Sequence, residues 1–184
     1  DFGVIAVLDN HDPFPNADQA LIKPNGLLAI SDTLDAMKII EAYKQGIFPW
    51  FNQNEPVLWW SPNPRLVLFP DKLKISSSLS KKIKKNNYEF SINKDFLTVI
   101  KYCSEVKRKN QNGTWIDERI IGAYSTLHQL KLAHSFEVWF NNSLVGGLYG
   151  IILDGVFFGE SMFHLEADAS KIAFVLAVQH LKNI

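Results

Sequence analysis

Only one cysteine occurs in these 184 residues, Cys103, so no internal disulfide can staple the fold. Neither sign of charge is in excess. Nineteen Lys and Arg balance nineteen Asp and Glu for a formal net charge of +0, so whole-molecule attraction to nucleic acid is not expected and only local patches could supply it. No uninterrupted apolar run reaches the length of a membrane span. The N-terminus lacks a basic region followed by an apolar block and a small-residue cleavage site, so no signal peptide is expected. The chain starts at Asp1 without a Met, which points to a beginning further upstream. There is no long Gly/Ser, Gln or Pro tract and no internal repeat. His11, His128, His134, His164 and His180 show no metal-ligand spacing. No Gly-x-Ser-x-Gly elbow exists. Gly146-Gly147 and Gly150 do not make a dinucleotide fingerprint, because a strand and not a helix follows them. They mark places where backbone or ligand approaches a strand closely.

What is present is a hydrophobic fraction of 47%, enough for a sizeable core. The length suits one medium domain, or one domain with a small extension. Cys103, among apolar neighbours on an expected helix from Phe96 to Lys107, reads as a buried, inert thiol. Asn112-Gly113-Thr114 and Asn141-Asn142-Ser143 match a glycosylation pattern, but without a secretory signal they read as turns, and the expected location is cytoplasmic.

Residues 1 to about 62 are rich in turn signals such as Pro13-Phe14-Pro15 and Pro24-Asn25-Gly26. The one element expected there is a helix from Asp35 to Gln45, with Ala36, Ile39, Ile40 and Tyr43 on one face and Gly46 ending it. Pro49, Pro56, Pro62 and Pro64 then break the chain, so this part reads as a small lobe with a Pro-rich connector. From Arg65 the pattern becomes α/β. Leu66-Val67-Leu68-Phe69 predicts a strand, Ser76 to Lys85 a helix, Tyr88 to Ile92 a strand and Lys94 to Lys107 a helix. Asp117 predicts a cap for a helix with Ile120, Tyr124 and Leu127 as its stripe. A three-strand meander follows, Ser135 to Phe140, Leu144 to Leu153 and Val156 to Ser161, turned at Asn141-Asn142 and Asp154-Gly155. A helix from Ala167 to Leu181 closes the chain.

Several residues could carry chemistry. Glu160 sits between Gly159 and Ser161 after the apolar run Val156-Phe157-Phe158. It is either a paired or solvated strand-end carboxylate, or a pocket carboxylate that receives a cationic group such as an amine. Trp50, Trp59, Trp60 and Trp115 suit a core, but Trp50 and Trp115 lie in turn-rich motifs, Phe48-Pro49-Trp50-Phe51 and Gly113-Thr114-Trp115-Ile116, that also suit stacking on a base. Lys81, Lys84 and Lys85 share a helix face, either simply solvated or tracking phosphates.

Taken together, Pro24-Asn25-Gly26-Leu27-Leu28-Ala29, Ala42 through Phe51, Trp59-Trp60-Ser61-Pro62-Asn63-Pro64-Arg65, Gly113 through Ile116, Glu137-Val138-Trp139, Leu144 through Gly150, Gly159 through Phe163 and Ala169-Ser170-Lys171 resemble the leucyl/phenylalanyl-tRNA–protein transferase family over nearly the whole chain. The resemblance implies a small N-terminal lobe, residues 1–62, on an acetyltransferase-like α/β (α+β) domain, residues 63–184, with a mixed, largely antiparallel sheet and flanking helices. It implies transfer of Leu or Phe from aminoacyl-tRNA to proteins whose N-terminus is Arg or Lys, marking them for degradation, by a monomer without cofactor or metal. Carried over by position, it implies Glu160 as the active-site glutamate. Trp50 and Trp115 would lie around the terminal adenosine and the pocket. Leu148, Phe157 and Met162 would wall the Leu/Phe side chain, Ser161 would contact substrate, and Lys81, Lys84 and Lys85 would touch the acceptor stem. Two departures stand out. Ser31-Asp32-Thr33 replaces the family's Gly-Gly-Asp. The family also continues past the last helix into a strand bearing an Asp and a Gln, whereas this sequence stops at Ile184, so C-terminal strands are expected to be missing and the chain is expected to be a fragment of a longer protein or else inactive. The rival readings are a coenzyme A-dependent N-acetyltransferase, disfavoured because Phe163-His164-Leu165-Glu166 lacks a Gly-rich pyrophosphate cradle, and a tRNA-binding module without turnover.

Overall fold

The computed structural model describes residues 4–85, 87–106 and 116–183. They form an α+β structure with two mostly antiparallel sheets and, among the described residues, five α-helices. The chain divides into two compact units, one of Asp1–Leu66 with Lys107–Leu127 and the other of Val67–Val106 with His128–Ile184. No described helix is long and apolar enough to cross a membrane.

The first unit holds a sheet that the turn-rich sequence did not announce. Its strands are β1 (Ala6–Leu8), β2 (Leu27–Ser31), β3 (Phe48–Pro49) and β4 (Val57–Trp60), in the order β1-β2-β4-β3. β1 runs parallel to β2, and the other pairings are antiparallel. Strands this short carry too few alternating residues to show a period. Trp59 is the centre of this unit's core. It is fully buried, its indole N–H donates to Ser31 Oγ at 2.9 Å, and the Phe14 ring meets it edge-on at 4.9 Å.

The expected helix forms as α1 (Ala36–Lys44), with Asp35 as its cap, Oδ1 accepting from the amides of Met37 and Lys38. Gly46, at φ +73°, lets the chain turn out of the helix where a side chain would be strained. Helix α4 (Glu118–Gln129) has Asp117 at its start, accepting from the amides of Arg119 and Ile120. Its stripe Ile120, Tyr124 and Leu127 is fully buried, and Tyr124 Oη lies 3.1 Å from Tyr43 Oη. Asp117 also pairs with the Arg119 guanidinium, which donates to the Glu55 carbonyl and lies over the Phe51 ring.

The expected strand Leu66-Val67-Leu68-Phe69 does not form. These residues are 96, 66, 46 and 66% exposed, and no described strand lies beside them. Strand propensity expresses fit to a half-buried pleated neighbour, and between Pro64 and Pro70 this segment has none among the described residues.

The second unit contains the expected meander, with the strand expected over Tyr88 to Ile92 paired to its first member. Its strands are β5 (Glu89–Ile92), β6 (Ala133–Phe140), β7 (Ser143–Leu153) and β8 (Val156–His164), all antiparallel in sequence order. Asn141-Asn142 and Asp154-Gly155 hold positive φ at both central positions, the primed geometry that matches strand twist. One sheet face carries Phe136, Val138 and Leu148 against Ala169, Ile172, Ala173 and Ala177 of α5 (Ala169–Leu181). Gly146 is required there, because a Cβ would lie 2.7 Å from the Ala169 side chain. The other face carries Tyr149 and Phe163 against α3 (Phe96–Glu105), whose Phe96 and Tyr102 rings meet them at 5.8 and 5.0 Å. Cys103 of α3 is buried. Helix α2 (Ser77–Lys85) begins at Ser76, whose hydroxyl accepts from the Leu79 amide.

On the α3 face lies a fully buried carboxylate, Glu137. It accepts from Ser135 Oγ at 2.5 Å, Ser91 Oγ at 2.6 Å and the Asp95 amide at 3.3 Å. Asp95 caps α3, so Glu137 fixes where that helix begins on the sheet. The Trp139 indole N–H donates to Ser91 Oγ, which leaves the Ser91 proton for Glu137. Glu137→Gln would turn an amide NH2 onto one of these donors. We expect a loss of about 1–3 kcal/mol of stability, the penalty of an unsatisfied buried donor, read as a lower urea midpoint at unchanged m-value. An unchanged midpoint would show that the network does not hold α3.

Candidate functional site

The geometry around Glu160 depends on a fault in strand pairing. Tyr149 pairs with Ser161 and Gly150 with Gly159, so the register shifts by one residue at Glu160. Such a bulge bends the strand and re-aims its side chains. It also resets the alternation of faces. Phe157 and Met162 are five positions apart, and a regular strand would put them on opposite faces. With one residue bulged out, both fall on the α5 face. Met162 pairs with Leu148, and the half-buried Phe157 meets Phe136 edge-on at 5.5 Å.

Leu148, Phe157 and Met162 are therefore brought together as one apolar surface. Leu148 is buried at its base, while Met162 is 42% exposed at its rim. Gly150 makes room for it, since a Cβ there would lie 2.6 Å from the Phe157 ring and against the Phe158 carbonyl oxygen. Glu160 itself is half-buried, next in the chain to the exposed Gly159. Ser161 does not join this surface. Its register with Tyr149 puts it on the α3 face, where it is buried.

The basic helix α2 presents Lys81, Lys84 and Lys85 as exposed residues on the expected i, i+3, i+4 face. Lys82 points elsewhere. Its Nζ donates to the Ala167 carbonyl at 2.5 Å and to Asp168 Oδ2 at 3.3 Å, tying α2 to the start of α5. Hydrogen bonds from Lys171 first and Lys82 second hold the Asp168 carboxyl below its ordinary range. The ionic part of the tie is thus complete at neutral pH and is lost as pH falls through that lowered value, while the bond to the Ala167 carbonyl does not titrate. The contact is open to solvent, so its effect is on placement more than stability.

Trp50 belongs to the first unit. It is 37% exposed, its ring lies edge-on to Trp60 at 5.8 Å, and its carbonyl accepts from the Trp60 indole at 2.6 Å. Trp115 lies outside the described residues. Among the described residues no group of three or more His, Cys, Asp or Glu could hold a metal ion. Two features escaped the sequence reading. The bulge leaves no mark beyond the odd spacing of Phe157 and Met162, and the burial of Glu137 is foreshadowed only by hydroxyl residues at 91 and 135.

A model described as leucyl/phenylalanyl-tRNA protein transferase matches residues 67–184, and one described as the N-terminal domain of the same protein matches residues 32–63. Among curated proteins, the leucyl/phenylalanyl-tRNA–protein transferase of Nitrosomonas eutropha is 52% identical over 180 residues, covering 98% of this chain and 76% of that protein. The protein of the same name from Nitrosospira multiformis is 51% identical over 98% of this chain and 77% of its own length. That from Thermodesulfovibrio yellowstonii is 53% identical over 91% and 68%.

The close fit at Gly150 is directly testable. Gly150→Ala should cost about 1–3 kcal/mol, the usual penalty for overpacking, seen as a lower urea midpoint. Gly122→Ala is the control. Gly122 is an exposed glycine inside α4 with nothing within 4 Å of an added Cβ, and the change should raise stability by up to about 1 kcal/mol. Equal effects at the two positions would mean that the Phe157 surface is not tightly packed.

Proposed function

The chain belongs to the leucyl/phenylalanyl-tRNA–protein transferase family, and from that premise we propose that it moves Leu or Phe from aminoacyl-tRNA onto the α-amine of proteins beginning with Arg or Lys. The observation that carries this reading is the apolar surface of Leu148, Phe157 and Met162 formed beside the bulged Glu160. An apolar side chain rests on that surface while a polar group next to it meets the carboxylate. Such a surface distinguishes similar side chains weakly, since a methylene is worth about 1–3 kcal/mol, and this fits acceptance of both Leu and Phe.

The reaction exchanges an ester for an amide. The acceptor nitrogen attacks the ester carbonyl, a C–N bond forms, and the bond from that carbonyl to the ribose oxygen breaks. The amine gives up a proton and the ribose oxygen gains one. No oxidation state changes, and the ester is already reactive, so holding amine and carbonyl together supplies much of the rate. In this reading Glu160 holds the reacting groups, and Trp50 and Trp115 flank the terminal adenosine. Lys81, Lys84 and Lys85 meet acceptor-stem phosphates, and Ser161 supports β8 from its other face. The tagged protein is then degraded, and the reaction runs in the cytoplasm on one copy of the chain.

The test is a transfer assay with labelled Leu-tRNA and two proteins, one beginning with Arg and one with Gly. Label on the Arg protein alone is expected, and no label while tRNA still binds would replace the transferase with a binding module. Glu160→Gln should lower kcat/KM by on the order of 100-fold, the scale of a misplaced reacting group, with the urea midpoint retained. A variant as active as the parent would remove Glu160 from the site. Replacing Lys81, Lys84 and Lys85 with Ala should flatten the dependence of log Kd for tRNA on log salt by about 2 to 3, if each neutralises one phosphate. An unchanged slope would return these lysines to a simply solvated face.

A further inference from the structure

The edge of the first unit's sheet formed by β3 and β4 carries a row of planar groups. Phe48 and Trp60 pair directly across β3 and β4, which puts both on one face of the sheet. Trp50 continues the strip beyond Trp60. At the other end the Arg65 guanidinium lies over the Phe48 ring, 4.3 Å from its centroid. Phe48 and Trp60 are half-buried, and Trp50 and Arg65 are exposed. Among the described residues Arg65 makes no ion pair, so its fork of donors faces solvent.

The arrangement is built rather than accidental. The Asn25 side chain donates to the Asn63 carbonyl at 3.2 Å and accepts from the Asn63 amide at 3.4 Å. The Ser61 amide donates to the Gly26 carbonyl at 2.7 Å. Gly26, at φ +95°, lies so close to Pro62 that a Cβ would come within 2.6 Å of it. Residues 61–65 are thereby pinned to the turn before β2, and Arg65 is delivered to Phe48 without needing a ligand to place it.

We propose that Arg65, Phe48 and Trp60 bind the unpaired nucleotides that precede the terminal adenosine of the donor RNA. This rests on the reading above, in which Trp50 flanks that adenosine. Unpaired bases stack on aromatic rings and on guanidinium planes, which duplex RNA cannot offer. An unpaired cation at the end of such a strip complements the phosphodiester that each further nucleotide brings. The strip therefore reads the single-stranded end of the donor as an extended ligand, through stacking and one phosphate contact, without reading its sequence.

The experiment compares two RNA hairpins, one ending in a single-stranded cytidine-cytidine-adenosine overhang and one blunt. The parent chain should bind the overhang hairpin about 10-fold more tightly. Arg65→Ala should remove most of that difference and lower the salt slope by about 0.7, one phosphate on a single strand. Arg65→Lys, which keeps the charge and loses the plane, should recover only part of it. In transfer, Arg65→Ala should raise KM for aminoacyl-tRNA with kcat retained, and leave kcat/KM for aminoacyl-adenosine unchanged. Equal weakening for both hairpins, or no weakening, would overturn the proposal. Overhang-specific binding by a chain that transfers nothing would sink the transferase reading and leave the strip standing.

Discussion

The pairing of β7 with β8 is the constraint on which the site depends. In an antiparallel ladder the face a side chain occupies is decided by parity, and a shift of one residue moves every following side chain to the other face. Phe157 pairs with Ile152 before the bulge and Met162 pairs with Leu148 after it, with Glu160 as the surplus residue between. Without the surplus residue, Met162 would turn toward α3 and Ser161 toward α5, replacing an apolar surface with a hydroxyl. One inserted residue thus does two things. It assembles the surface, and it places the Glu160 residue beside it.

The sheet that carries the bulge is held on both faces. Here the α5 face is closed by small residues, Ala169, Ala173 and Ala177, which let the helix approach until Gly146 and Ala169 are in contact. The α3 face is closed by large rings and by the buried Glu137, which joins β5, β6 and the start of α3 through three accepted hydrogen bonds. The same economy governs charge. Lys82 is taken up by Ala167 and Asp168, and that contact orients α2 so that Lys81, Lys84 and Lys85 project together. A protein of net charge +0 can meet an anion only through such local separation.

Elements with strong local chemistry were legible in the sequence. α1 follows from Asp35, the stripe of Ile39, Ile40 and Tyr43, and Gly46; the β7–β8 hairpin follows from Asp154-Gly155. In both cases a few neighbouring residues determine the backbone. What was not legible depends on distant partners. β2 and β4 are short runs that become strands because they pair with each other and because Trp59 fills the core between Phe14 and Ser31. Leu66 to Phe69 has the composition of a strand but no described strand beside it, and stays exposed. At the site, Leu148, Phe157, Met162 and Glu160 could be named from motifs, but simple alternation would have separated Phe157 from Met162. Ser161, next in the chain to Glu160, could not be told from a wall residue until the register put it on the other face.

The chemistry proposed for the chain explains why so much of its order lies in placement. An aminoacyl ester needs little activation, and the uncatalysed attack of an amine is slow mainly because the partners must meet in the right orientation. The donor arrives as a long anionic polymer with a small apolar cargo at its tip. Fixing the cargo alone would leave the ester free to swing about the side chain, and fixing the polymer alone would leave the cargo to diffuse. In the reading proposed above, the surface beside Glu160 takes the cargo and the lysines of α2 take the phosphates. Neither contact is strong by itself. A ligand gripped at two points linked by its own covalent chain meets the second point at high effective concentration, and that is how weak apolar and phosphate contacts together fix one carbonyl carbon for attack.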